Sequence, residues 1–135
     1  MPIALINGRV LRGTSLVSGQ CVLIGEGRIQ DILPAEDARC RGLERVDLGG
    51  ALLLPGFIDI QVNGGGGALF NDAPSVRAIR QIGRAHRRFG TTGFLPTLIS
   101  TDLEVVSQAI EATRAAMAAG VRRRPGQWWR RRALQ

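Results

Sequence analysis

Leu54-Pro55-Gly56-Phe57-Ile58-Asp59-Ile60-Gln61-Val62-Asn63-Gly64 is the stretch on which the fold of this sequence turns. Phe57 to Val62 is an apolar run with one acid set inside it. It is opened by Pro-Gly and closed by Asn63 and the glycines Gly64 to Gly67, so it predicts a largely buried strand ending in a loop. Downstream, a helix is expected to start near Ser75, just after Pro74, with Ile79, Ile82, His86 and Phe89 on one stripe at spacings of three and four. Gly90 stops it. Gly93 to Ile99 reads as the next strand, and Thr101-Asp102-Leu103-Glu104 has the form of a capping box. Leu103, Val106, Ile110, Thr113 and Met117 then give a second helix one buried face. Strands alternating with helices of this length imply βαβ units and a parallel sheet.

Upstream, from Ile3 to about Leu54, short apolar runs are separated by glycine turns. Asn7-Gly8, between Ile3-Ala4-Leu5-Ile6 and Val10-Leu11, is a type I′ hairpin signal, because both residues tolerate positive φ. Gly25-Glu26-Gly27-Arg28 marks a second hairpin between Val22-Leu23-Ile24 and Ile29 to Ile32, and Val46-Asp47-Leu48 adds an alternating strand. The expectation is a small antiparallel β unit over residues 1–54, followed by two βα units over residues 55–121.

The formal charge of +7 on 135 residues points to nucleic acid only until its location is read. Arg122, Arg123, Arg124, Arg130, Arg131 and Arg132 lie in the last fourteen positions, whereas the other 12 arginines face all 11 acids. The body of the chain is therefore electrostatically ordinary. Residues 122–135 contain both tryptophans and no acid, share no periodicity with what precedes them, and are expected to be an aberrant, disordered tail. Cys21 and Cys40 have no metal-knuckle spacing and read as two buried free thiols. Neither a leader nor a run of ~20 apolar residues stands out, so a cytoplasmic protein with no membrane partner is expected.

The quoted stretch resembles the first barrel strand of amidohydrolases, which reads Pro-Gly-Phe-Ile-Asp and then His-x-His. Gln61-x-Asn63 in place of the two histidines, with Phe70-Asn71-Asp72 after the glycines, is similar to the N-acetylglucosamine-6-phosphate deacetylase branch. Ala85 to Asp102 resembles that family over eighteen consecutive residues. The resemblance covers residues 3 to about 121. It implies a partial (β/α)8 barrel, the first two βα units, with the antiparallel unit forming part of a β-sandwich. It also implies hydrolysis of the N-acetyl amide of N-acetylglucosamine 6-phosphate by metal-activated water, with an aspartate late in the barrel moving the proton. The full-length family member is expected to hold one divalent metal ion, zinc or similar, to act on a small amino-sugar phosphate, and to be a homo-oligomer.

Individual residues carry expectations of their own. Gln61 and Asn63, two apart at the mouth of a parallel strand, point the same way, and neutral amides are poor zinc ligands. They line the site and touch substrate or metal-bound water, or else brace the strand end. His86 is the one histidine and is expected to be structural, as is Asp59; the glycines form a flexible loop over the mouth. Catalytic and metal-binding residues, including a glutamate in a His-Leu-Glu-Gly-Pro segment, are expected beyond residue 121. None is in this chain, so no metal is expected to bind it tightly and its own activity stays open. A frameshifted or truncated product is the reading of the tail. The competing readings are a nucleic-acid-binding module built on the Arg/Trp tail and an amidohydrolase acting on another amide.

Overall fold

The computed structural model describes residues 1–120; residues 121–135, with the tail 122–135 and every reading attached to it, lie outside the described residues. The chain divides into two compact units, Met1–Pro55 and Gly56 onward, of mixed α/β composition overall.

The first unit is built from β1 (Ile3–Arg12), β2 (Ser15–Gly25), β3 (Arg28–Pro34), a 3₁₀ turn (Ala38–Cys40), β4 (Glu44–Asp47) and β5 (Leu52–Leu53). The strand order is β3-β2-β1-β4, with β5 also on β1. Two-residue turns make the meander: Gly13 opens the first with φ 59°, and Glu26 and Gly27 (φ 53° and 75°) form the second, as their sequence demands. β4 and β5 run parallel to β1, with Ile3 opposite Glu44 and Arg9 opposite Leu52, so the sheet is mixed and not the antiparallel unit expected. Asn7-Gly8 makes no hairpin either. β1 runs straight through it, with a bulge at Asn7 (φ 56°).

The reason is a turn forty residues away. Leu48 N–H donates to Ile6 O (2.9 Å), Gly50 N–H to Asn7 O (2.7 Å) and Arg9 N–H to Ala51 O (2.9 Å), while Asn7 Nδ2 donates to Asp47 Oδ1 (3.0 Å). The bulge is thus filled by residues 47–51, and a Cβ on Gly8 would stand 2.6 Å from Leu48 Cδ1. Alternation along the strands sends Ile3, Leu5, Val10, Val22 and Val46 to one face and Ala4, Cys21, Leu23 and Leu33 to the other, where Cys40 of the 3₁₀ turn joins them, giving two small cores.

The second unit runs β6 (Phe57–Val62), the hairpin β7 (Gly64–Gly65) and β8 (Ala68–Leu69), α1 (Val76–Arg87), β9 (Thr91–Pro96) and α2 (Leu103–Ala118). β6 and β9 pair in parallel, Phe57 with Thr91 through Val62 with Pro96. Ser75 caps α1 by accepting Ala78 N–H (3.1 Å), and Gly90 takes φ 93° beyond its end. Val62, Phe70, Ala78, Ile79, Ile82, Ala109 and Ala116 form the core.

Three expectations fail in this unit. β6 is not largely buried: Ile58 and Ile60 are both 73% exposed and only Val62 is enclosed, because among the described residues β6 pairs with β9 alone. The large stripe of α2 faces outward, Leu103 at 83% and Met117 at 73%, while Ala109 and Ala116 are buried and Ala112 packs beside them; Phe89 is exposed too. The capping box is absent because the helix begins one residue late. Asp102 is the N-cap, without a side-chain cap bond, which shifts Glu104 out of the reciprocal position.

Candidate functional site

β6 and β9, being parallel, bring their C-terminal ends together, and side chains gather there on a polar ledge. Asn63 Nδ2 donates to Thr97 O (3.0 Å), the Thr97 N–H donates to Val62 O (2.9 Å) and the Phe70 N–H to Asn63 O (2.7 Å). Asn71 makes a reciprocal pair with the Ile99 backbone, donating through Nδ2 to Ile99 O and accepting Ile99 N–H, both at 2.9 Å. A side-chain amide here does the work of one more rung of sheet. Asp59 accepts the Gln61 N–H (3.1 Å), turning its carboxylate back on its own strand. Gln61 is exposed, and its side chain makes no hydrogen bond to the described residues.

The glycines at 64–67 form a structured hairpin between these amides and α1. Gly66 and Gly67 take φ 63° and 80°, which suits a two-residue turn, while Gly64 and Gly65 are there for space. A Cβ on Gly64 would lie 2.5 Å from Ala68 O, and one on Gly65 would lie 2.8 Å from His86 Nε2. α1 grips the hairpin twice: Gln81 Nε2 donates to Gly66 O (2.9 Å) and His86 Nε2 meets Gly64 O at 2.9 Å. A carbonyl only accepts, so Nε2 carries the proton. The ring also stacks against Phe94, centroids 6.4 Å apart.

Sequence reasoning singled out Asn63 and Gln61 and set His86 aside as structural; it missed Gln81 and the pairing of Asn71. For Asn71 the signal was the Phe70-Asn71-Asp72 run. Gln81 lies one position off the apolar stripe of α1, where an exposed polar residue carries no distinguishing mark.

Among the described residues no group of three or more His, Cys, Asp or Glu side chains could hold a metal ion. Asn63, with Nδ2 on Thr97, keeps only the weak ligand Oδ1, and His86, with Nε2 on Gly64, keeps only Nδ1, with no carboxylate or thiol grouped beside them. The donors present therefore do not fit a divalent ion. Two concavities are found among the described residues, one in each unit. One of about 280 Å³ sits in the first unit between Asn7, Arg9, Ser18 and Arg45. The other, of about 780 Å³, runs along α1 beside Arg77, Arg80, Arg84 and Arg88. Perturbed titrations also lie in the first unit. Burial, then a hydrogen bond to Cys40, pushes the Cys21 thiol up to about 12. The Arg39 side chain, at 3.2 Å from Asp37, holds that half-buried carboxyl below its usual range. No helix among the described residues is long and apolar enough to cross a membrane.

No family model matches the sequence. Among characterised proteins, the chain is 51% identical over 65 residues to N-acetylgalactosamine-6-phosphate deacetylase of Shewanella sp. (strain ANA-3), covering 48% of this chain and 16% of that protein. It is 33% identical over 114 residues to N-acetylglucosamine-6-phosphate deacetylase of Haemophilus influenzae, covering 84% of this chain and 30% of the relative. The crystal structure of N-acetylglucosamine-6-phosphate deacetylase from Pasteurella multocida superposes with a TM-score of 0.81 at 31% identity, over 87% of this chain and 31% of that one. A D-hydantoinase shares the fold at 24% identity, with a TM-score of 0.56 over 86% of this chain and 24% of the other. The chain thus spans less than a third of the length of the proteins it matches.

Proposed function

Because this chain belongs to the N-acetylglucosamine-6-phosphate deacetylase family of the amidohydrolase superfamily, we propose that the activity it serves, within a whole family member, is removal of the acetyl group from N-acetylglucosamine 6-phosphate. The products are glucosamine 6-phosphate and acetate. One observation carries the reading: identity to the Haemophilus influenzae enzyme extends over 84% of the chain rather than over a short motif.

In this reading β6, α1, β9 and α2 are the first two βα units of a (β/α)8 barrel, and β1 to β5 contribute to a β-sandwich, the boundary falling near residue 55. Active sites of such barrels stand at the C-terminal ends of the strands, where the ledge of Asn63, Asn71 and the glycine hairpin lies. Gln61 presents its free amide to the substrate or to its attacking water. Asn63 holds the ledge in shape through Thr97. Since the described donors do not fit a metal, the steps assigned to this chain are positional: two amides orient, and α1 fixes the loop that walls the site. A sugar-phosphate substrate agrees with a cytoplasmic protein. The tail-based nucleic-acid reading is not favoured by the Shewanella and Haemophilus influenzae relatives, which are deacetylases.

A second substrate has a specific observation behind it, the 51% identity to the N-acetylgalactosamine-6-phosphate enzyme. The two sugars differ only in configuration at C4. The test for both is a chimera in which residues 1–120 replace the matching segment of the Haemophilus influenzae enzyme, assayed for acetate release from each sugar phosphate. Turnover of either, reduced at least tenfold by Gln61→Ala, is expected. A folded chimera that hydrolyses neither would sink the proposal.

A further inference from the structure

The two cysteines are the one set of chemically reactive side chains that the deacetylase reading leaves unused. Cys21 sits in β2, an interior strand flanked by β1 and β3, opposite Leu33. Cys40 closes the 3₁₀ turn in the segment that covers this face of the sheet. Both side chains are fully enclosed, in one cluster with Ala4, Leu23 and Leu33. The Cys21 thiol hydrogen-bonds the Cys40 sulfur. Cys40 in turn reaches Pro34 O at 4.0 Å, and Pro34 pairs with Gln20, the residue before Cys21. Both side chains therefore lie in one buried cluster beside the end of β3, although nineteen positions separate them in sequence. Both are free thiols in the structure.

We propose that Cys21 and Cys40 are a thiol–disulfide modification site, which a low-molecular-weight disulfide such as oxidised glutathione closes into an internal bond fastening β2 to the covering turn. Cys40 reacts first. It rides on a single turn held by Cys40 N–H to Asp37 O and Arg41 N–H to Ala38 O (both 3.0 Å), whereas Cys21 is locked in the sheet. Its thiolate attacks one reagent sulfur and expels one thiolate, leaving a mixed disulfide. Cys21, deprotonated, then attacks Cys40 Sγ and expels the second thiol. The balance is one S–S bond formed in the protein for the one broken in the reagent, with the two thiol protons and two electrons passing to the reagent, which leaves as two thiols. Forming a bond of about 2.05 Å requires the turn to carry Cys40 onto Cys21 within the cluster they share. Burial makes the native reaction slow without opposing its outcome.

The test takes the full chain, reduced, through two arms: incubation with oxidised glutathione in the native state, and refolding from urea into the same reagent. The expected product of both is a monomer two hydrogens lighter, free of glutathione, refractory to alkylation in denaturant, and with a Cys21–Cys40 peptide. Its unfolding equilibrium constant is expected to fall roughly a hundredfold for a loop of this length, reversibly on reduction. Cys21→Ser and Cys40→Ser should each end as a single glutathione adduct, with Cys→Ala as the replacement where serine prevents folding. Double adducts, disulfide-linked dimers, an unoxidised product on the refolding arm, or an internal disulfide that lowers stability would each overturn the proposal.

Discussion

Gly65 and His86 are predicted to be energetically coupled, and a double-mutant cycle measures the coupling. His86→Ala removes the hydrogen bond to Gly64 O (2.9 Å), a net contribution of about 1 kcal/mol. It also removes the stack on Phe94, about 0.5–1.5 kcal/mol. The sum is roughly 2 kcal/mol, or about a thirtyfold change in the unfolding constant. Gly65→Ala should destabilise by a similar route, because its new Cβ stands 2.8 Å from His86 Nε2 and drives the ring off the carbonyl. Once His86 is already alanine that clash is gone; the next contact, Ala85 Cβ at 3.5 Å, is ordinary. The second substitution should then cost little, leaving a coupling of about 1–2 kcal/mol. Urea unfolding followed by helical circular dichroism is the assay, because both α-helices lie in the unit that holds these residues. Additive effects would refute the grip of α1 on the glycine hairpin.

Three further outcomes are expected. Ile82→Ala, at a fully enclosed site, should cost about 2–5 kcal/mol, whereas Ile60→Ala on exposed β6 should stay within about 0.5 kcal/mol in the same urea titration. The Cys21 thiol, raised from 9.0 to about 12 by burial and then by its bond to Cys40, remains protonated when folded while the unfolded chain ionises. Stability should therefore be full below pH 9 and decline as pH rises toward 12, Arg45 and Asp37 opposing each other weakly nearby; Cys21→Ala should flatten that decline. Asn71→Ala should lose both bonds to Ile99, about 1–2 kcal/mol, and expose the Ile99 amide to rapid hydrogen exchange.

Several local signals in the sequence led to the right structure, although the capping box at Thr101–Glu104 did not, because the helix starts one residue late. Glu26-Gly27 turned the chain as its residues require, and Ser75, Ile79, Ile82 and Gly90 framed α1. Asn7-Gly8 carried the same kind of signal and misled, because Leu48 to Ala51 occupy the bulge and no short-range pattern announces them. Parallel pairing of β4 and β5 with β1 was hidden for the same reason. On α2 two stripes compete, one of large residues and one of alanines. Hydrophobicity points to the large one, but the alanines let α2 approach its neighbour closely and are the ones enclosed. At the ledge, Asn63 was legible from its place at the strand end, yet the direction of its amide, toward Thr97 O, depends on where β9 stops. The four glycines showed as a loop; only the contacts of Gly64 and Gly65 reveal that two of them are spacers.

The Asn7–Gly8 bulge also bears on the order in which the first sheet assembles. β1 and β2 meet across a two-residue turn, while Ile3 and Glu44 must find each other across forty residues, so loop closure favours the meander first and β4 last. A late strand arriving beside a featureless partner could settle one residue out of step and turn its side chains to the wrong face. The notch at Asn7, with Asp47 on one side and Gly50 on the other, accepts only one alignment. Filling that notch, as Gly8→Val would, is expected to leave the β1–β2 hairpin forming at its usual rate while slowing the final step, when β4 and β5 seek a register that has lost its keyway.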